Sequence, residues 1–153
     1  MPGISSASAS EALSSIGQPA RVVHLFVADS SGVASAPLAE QVRRSLLDFR
    51  AAGIAVVVNT SIPQIVSVQL KLQFLAGADT TLIGELARAA VVEHLNSLPV
   101  NGTLLRASLF QVLQRFAPNG LIVSDQSVAA PTGDVVPTPG QTIRTRLENV
   151  TLI

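Results

Sequence analysis

Val66-Ser-Val-Gln-Leu-Lys-Leu-Gln-Phe74 sets Val66, Val68, Leu70, Leu72 and Phe74 on one side of an extended chain and Ser67, Gln69, Lys71 and Gln73 on the other. This period of two predicts a strand within Gln64–Leu75 with one buried and one wet face. A half-buried strand needs a partner surface, and both flanks offer one. Upstream, Leu38, Val42, Leu46 and Phe49 recur at helical spacing, with Ser35 as N-cap, Pro37 in the first turn and Gly53 where a left-handed stop belongs. Downstream, Thr80–Asn96, capped by Asp79, carries Leu82, Ile83, Leu86, Ala90 and Val91, a surface broad enough to be covered on more than one side. The first helix and the alternating strand are neighbours in chain order. Leu38, Val42, Leu46 and Phe49 are therefore expected to meet Val66, Val68, Leu70 and Leu72 in the core.

Further out, Arg21–Val27 and Ile54–Val58 read as strands, and Leu105, Leu109, Val112 and Phe116 as a helix ending near Ala117, with Ser108 an alternative cap. Leu121–Asp125 reads as another strand. Thr142–Leu152 is a last one whose alternation changes phase near Glu148-Asn149, which implies a bulge or two pairing partners. Without the third helix and the last strand the order is βαββαβ, the split βαβ arrangement. The expected class is α+β: a two-layer sandwich, a mixed sheet with helices on one face, plus an extra helix and a C-terminal strand. Residues 1–19 are expected as a flexible or partner-ordered lead-in, with a short helical candidate at Glu11–Ile16, because Met1–Ser10 has little apolar content to fold on. Residues 20–153 then form a single domain, or two subdomains at 20–62 and 63–153. The second half of the terminal strand is expected to offer unpaired backbone to another chain.

The chain has 153 residues, of which 48% are hydrophobic and 13% charged, about half the usual charge of roughly 25%, so it has the apolar content of a folded core rather than of a disordered segment. Ten cationic and ten acidic side chains cancel, leaving no basic field to attract nucleic acid. Lys71 is the only lysine and the other cations are Arg, the residue suited to planar, partly dehydrated contacts. With a mean hydropathy of +0.47, this composition points to a subunit that hides much of its surface in an assembly; a very compact monomer is the alternative. There is no cysteine, which excludes thiol chemistry, disulfides and cysteine-based metal sites. No apolar run approaches the ~20 residues of a membrane span, so membrane insertion is not expected. The first residues lack the basic and apolar regions of a secretory signal. The Asn-x-Ser/Thr triplets at Asn59, Asn101 and Asn149 read as chance.

Chemistry-bearing patterns are sparse. His24, inside a strand, and His94, near the end of the second helix, stand apart from each other and from any His-Glu-x-x-His spacing. The carboxylates are scattered, no glycine-rich phosphate loop or nucleophile elbow occurs, and the aromatic residues are five Phe without Trp or Tyr. The expectation is a non-enzymatic chain with no cofactor, no metal and no small-molecule substrate. Two groups stand out as protein-interface candidates. Arg144, Arg146 and Glu148 share one face of the last strand, either as a docking edge with paired charges or as an edge blunted against aggregation. Gln69, Lys71 and Gln73 lie on the sheet face opposite the helices.

The order of these segments resembles a known family. Leu46-Leu-Asp-Phe-Arg50-Ala-Ala-Gly53-Ile-Ala-Val56 is similar to a helix ending in an Arg-x-x-Gly stop before a strand. Val66–Phe74 follows in place, and Leu98-Pro-Val-Asn-Gly102 with Leu105-Arg-Ala-Ser108-Leu resembles a turn into a second helix. Asn119-Gly-Leu-Ile-Val123 resembles the strand after it. Together they resemble the C-terminal portion of the baseplate J-like family, wedge proteins of contractile-tail phages and related injection devices, over Ala20–Ile153. Ala51 stands where family members usually carry Pro, and full-length members have further N-terminal domains, so the chain corresponds to a fragment or a short stand-alone member. The resemblance implies a virion component assembled in the host cytoplasm, with copies of itself and other baseplate or tail proteins as partners, and it supplies no catalytic residues. The alternative function is a small ligand-binding or regulatory module on a ferredoxin-like sheet, which needs a defined pocket with convergent polar groups.

Overall fold

The computed structural model describes residues 3–13, 19–48 and 53–153. The fold is α+β. Its contacts divide into two compact units, the first comprising Met1–Pro63, Pro99–Asn101 and Thr138–Thr142, the second Gln64–Leu98, Gly102–Pro137 and Ile143–Ile153.

The first unit is built on β1 (Ser6–Leu13), β2 (Pro19–Ala28) and β3 (Ala55–Thr60), in that spatial order, with α1 (Ala36–Leu46) between the last two in sequence. β1 runs antiparallel to β2, and β3 parallel to it, so α1 is the crossover that a parallel pair requires. The Ser35 hydroxyl accepts the Leu38 N–H at 3.4 Å, and proline in the first turn costs no hydrogen bond there. Val42 and Ala39 are buried with Val27 and Ala34, and Leu25, Leu38, Leu46 and Val58 pack around them. α1 stops at Leu46, earlier than the spacing predicts, although Gly53 does take a left-handed φ of +82°. Phe49 lies outside the described residues.

Two expectations for the start of the chain are corrected here. Ser6–Leu13 is a strand, neither a loose lead-in nor, at Glu11–Leu13, the start of a helix; Ser14–Ile16 lie outside the described residues. What orders this stretch is backbone pairing, from Ser6 opposite Ala28 to Leu13 opposite Pro19, which needs no large side chains. Its serines add to this. The Ser6 hydroxyl accepts the Val100 N–H at 3.2 Å, and Ser8 bonds the Asn101 side chain at 2.7 Å.

The second unit centres on β5 (Val68–Leu70), which lies between β10 (Val150–Leu152), parallel, and β8 (Val128–Ala130), antiparallel. β6 (Gln73–Phe74) pairs with β7 (Leu121–Ile122); β4 (Ile62–Ile65) pairs with β9 (Gln141–Arg144), and the residues of these two strands are divided between the units. The stretch that the sequence reads as one strand is thus divided among three sheets, and the described residues hold four small sheets where one mixed sheet was expected. The alternation itself survives these breaks: Val66, Val68 and Leu70 are buried, while Ser67, Gln69, Lys71 and Gln73 are exposed.

The partners of that buried face differ from the expected ones. Val66, Val68 and Leu70 join Ile83, Ala87, Val91 and Leu95 of α2 (Thr80–Asn96) and Leu109, Val112 and Leu113 of α3 (Arg106–Gln114), with Val128, Ile143 and Val150. α1 instead closes over β2 and β3, the strands that it connects in sequence. α2 has the expected bounds, and the Asp79 carboxylate accepts the Leu82 N–H at 3.0 Å. It is covered along one stripe rather than on several sides, since Leu82 and Leu86 remain 55% and 49% exposed. α3 has no side-chain cap from its own N-terminal residue. Asp134, far along the chain, accepts the Arg106 N–H at 2.7 Å, and Leu105, expected on the apolar face, is exposed.

The terminal segment splits into β9, a 3-10 turn at Leu147–Asn149, and β10, so the change of phase near Glu148-Asn149 marks two pairing partners. β10 does not offer its backbone wholly to another chain. It pairs with β5, and Val150 is fully buried.

Candidate assembly interface

The terminal charges that share a strand face on paper separate in the fold. Arg144 ends β9 at 6% exposure and gives Nη1–H bonds to the Leu98 and Ile143 carbonyls at 2.8 and 2.7 Å. Next to it, the Thr145 hydroxyl donates to the Val66 carbonyl at 2.7 Å, and the Asn96 side chain bonds the Thr145 backbone in both directions, at 3.1 and 2.9 Å. Arg144 therefore belongs to a buried polar latch of the second unit and, contrary to the expectation, does not lie on an exposed edge. Beyond it the chain turns, which leaves Arg146 and Glu148 at the surface as an ion pair at 3.5 Å. Solvent screening makes an exposed pair of this kind worth little in stability. It remains available to a partner's charges, next to exposed Leu147.

Gln69, Lys71 and Gln73 are exposed, as their positions on the wet face imply. Pairing sets Thr151 beside Gln69 in one sheet and Ile122 beside Gln73 in another, both exposed, so the three polar residues are spread over two sheets and the stretch between them.

Sequence reading missed the use to which the arginines are put. Arg88 on α2 donates Nε–H to the Val150 carbonyl at 2.8 Å and Nη2–H to the Leu147 carbonyl at 2.9 Å, while its Nη1 meets Glu85 at 2.9 Å. Arg106 donates to the Asp125, Val128 and Pro131 carbonyls at 3.0, 2.9 and 3.2 Å and lies 4.8 Å from the Phe110 ring centre. With Arg144, these guanidinium groups clamp carbonyls within the second unit. Part of the arginine bias that composition assigns to an assembly surface is therefore internal; the fork of donors fits loop carbonyls as well as it fits a partner's carboxylates.

His94 adjoins a cavity of about 130 Å³ lined by Ala90, Glu93, His94, Ser97 and Arg115. Its Nε2 lies 2.7 Å from Ser108 Oγ, and the Ser108 hydroxyl donates to the Leu105 carbonyl at 2.7 Å. With its proton on that carbonyl, Ser108 accepts from Nε2–H, so the contact ties α2 to α3 and does not activate the hydroxyl as a nucleophile. Burial, and then the Arg115 charge, hold the His94 pKa below the ordinary 6.5. His24 lies half-buried in β2. Among the described residues no three His, Asp or Glu side chains converge as a metal site would need.

A second cavity, of about 230 Å³, lies beside α1 among Ile4, Ala7, Leu25, Val27, Val42, Ser45 and Leu46. Both cavities are smaller than the roughly 300–1,000 Å³ of typical small-molecule sites. No described helix is long and apolar enough to cross a membrane. No protein-family model and no curated protein matches this chain.

Proposed function

We propose that this chain is a structural subunit of a phage or phage-like contractile-tail baseplate, a wedge component of the virion that acts by assembling with copies of itself and with other tail proteins. The observation that carries this reading is the ordered resemblance of Leu46–Val56, Val66–Phe74, Leu98–Leu109 and Asn119–Val123 to the C-terminal portion of the baseplate J-like family. The low charge supports it, as do the exposed Leu75, Leu82, Leu86, Val136 and Ile153, which a subunit in a multi-protein ring would bury against neighbours. In this role the exposed Arg146–Glu148 pair and the Gln69, Lys71 and Gln73 face would set partner choice rather than bond strength.

The test is to delete the gene in the source strain and to image particles by negative-stain electron microscopy, with antibody to the chain applied to wild-type particles. Antibody at one end of the tail, and tails lacking a baseplate in the deletion, are expected. Normal, contractile tails in the deletion strain would overturn the proposal.

A further inference from the structure

β3 is the outer strand of the sheet β1-β2-β3. Its parallel register with β2 brings the Ser61 N–H to the Val27 carbonyl at 2.9 Å, so the odd-numbered backbone groups of β3 face β2. The N–H and C=O groups of Val56, Val58 and Thr60 then point the other way. On that side no described strand pairs with β3. Further along, Ile62 gives its N–H to the Gly140 carbonyl at 3.2 Å, which closes the edge beyond Thr60.

Protein edges left in solvent are normally blunted by lysine, proline or a bulge. Ile54-Ala-Val-Val-Val-Asn-Thr60 has no charge and no proline, and Val57 is 40% exposed. Such an edge is built to be paired. We propose that β3 pairs antiparallel with β3 of a second copy, joining two three-stranded sheets into one of six strands.

Two-fold pairing sets each residue opposite one from the same strand, so a charge near the axis would face itself. β3 is neutral throughout, so two copies of it meet along the whole strand without charge repulsion, and a second copy is the occupant that its sequence fits on both sides of the axis. The axis falls at Val57. An axis at Val58 would carry the partner strand's Ile54 to the place where Gly140 meets Ile62, whereas at Val57 the partner strand begins opposite Ser61 with Gly53, whose φ of +82° turns the chain away. Val57 then faces Val57, Ala55 faces Asn59, and Val56 exchanges backbone hydrogen bonds with Val58 on each side, about four in all. This pairing requires only the strand edge and is independent of any place in a tail.

Sedimentation of the full chain together with residue-resolved amide exchange tests it. The wild type is expected to sediment at twice 15.9 kDa, with the Val56 and Val58 amides, which lie on the edge that no described strand pairs, protected at high concentration and unprotected on dilution. Val57→Lys sets like charges directly opposite each other and should weaken association roughly 30-fold, with an unchanged circular dichroism spectrum. An equal mixture of Val57→Lys and Val57→Glu should recover the dimer. A monomeric wild type whose Val56 and Val58 amides exchange freely overturns self-pairing. So does a dimer that survives Val57→Lys, or a mixture that stays monomeric. If Val57→Lys fails to fold, amide protection in the wild type decides alone.

Discussion

Deleting Val150–Ile153 should strongly destabilise the core of the second unit. Val150 is 0% exposed, so its loss forfeits about 2 kcal/mol of apolar burial and leaves a void beside Val68. The parallel pairing of β10 with β5 goes too, together with the Ile153 N–H bond to the Leu70 carbonyl at 2.9 Å, at about 1 kcal/mol for each of roughly three bonds. Arg88 Nε loses its acceptor at Val150 and is left half-buried. The sum is about 5 kcal/mol, against a total of about 5–15 kcal/mol for a typical domain. Urea unfolding followed by far-ultraviolet circular dichroism, with amide exchange in α2 and α3, measures it. At a slope of about 2 kcal/mol per molar, the midpoint of this unit should fall by about 2.5 M. Val150→Ala alone should account for about 2 kcal/mol of the loss. A truncated chain whose midpoint stays within about 0.5 M of wild type would show that β10 is an appendage and refute the reasoning.

His94 is held below its ordinary pKa, so the folded state binds fewer protons than the unfolded one over that interval; its contribution is complete above pH 6.5 and is lost as pH falls through the folded value. His94→Gln should remove this part of the acid sensitivity in urea midpoints compared at pH 7.5 and pH 5, and an equally steep variant would contradict it. Gly140→Ala should cost the first unit about 2–4 kcal/mol, because φ is +83° and the new Cβ would lie 2.5 Å from Phe26 Cε1; a thermal melt unchanged by the substitution would count against it. Gly84→Ala should stabilise α2. The gain in helix propensity is about 1 kcal/mol, and among the described residues the new Cβ meets only Leu152 Cδ1, at 3.1 Å, on an exposed side chain that can swing aside; a lower melting temperature would show Leu152 to be held fast.

The candidate surface was legible in part. Gln69, Lys71 and Gln73 are exposed because alternation along an extended chain follows from local geometry, whichever strands it later pairs with. By the same rule Arg144 reads as a surface charge; it is buried, since which face is covered depends on Leu98, which binds its guanidinium, and on Asn96, which holds the neighbouring Thr145 backbone, both remote in sequence. The carbonyl clamps of Arg88 and Arg106 leave no local trace, because their acceptors lie in loops that only the fold brings near.

By itself the sequence determined what depends on neighbours a few residues away: the caps at Ser35 and Asp79, the span of α2, the inward side of Val66, Val68 and Leu70, and the break in the terminal strand near Glu148. Tertiary structure alone decided which surfaces meet. Apolar faces attract without direction, so α1 and β5 each suit many partners, and the choice falls to loop length, crossover handedness and the competing claims of α2 and α3. The strand Ser6–Leu13 shows the same division from the other side. Its serines and alanines promise no burial, and it is ordered by hydrogen bonds to a β2 backbone whose place no local pattern encodes.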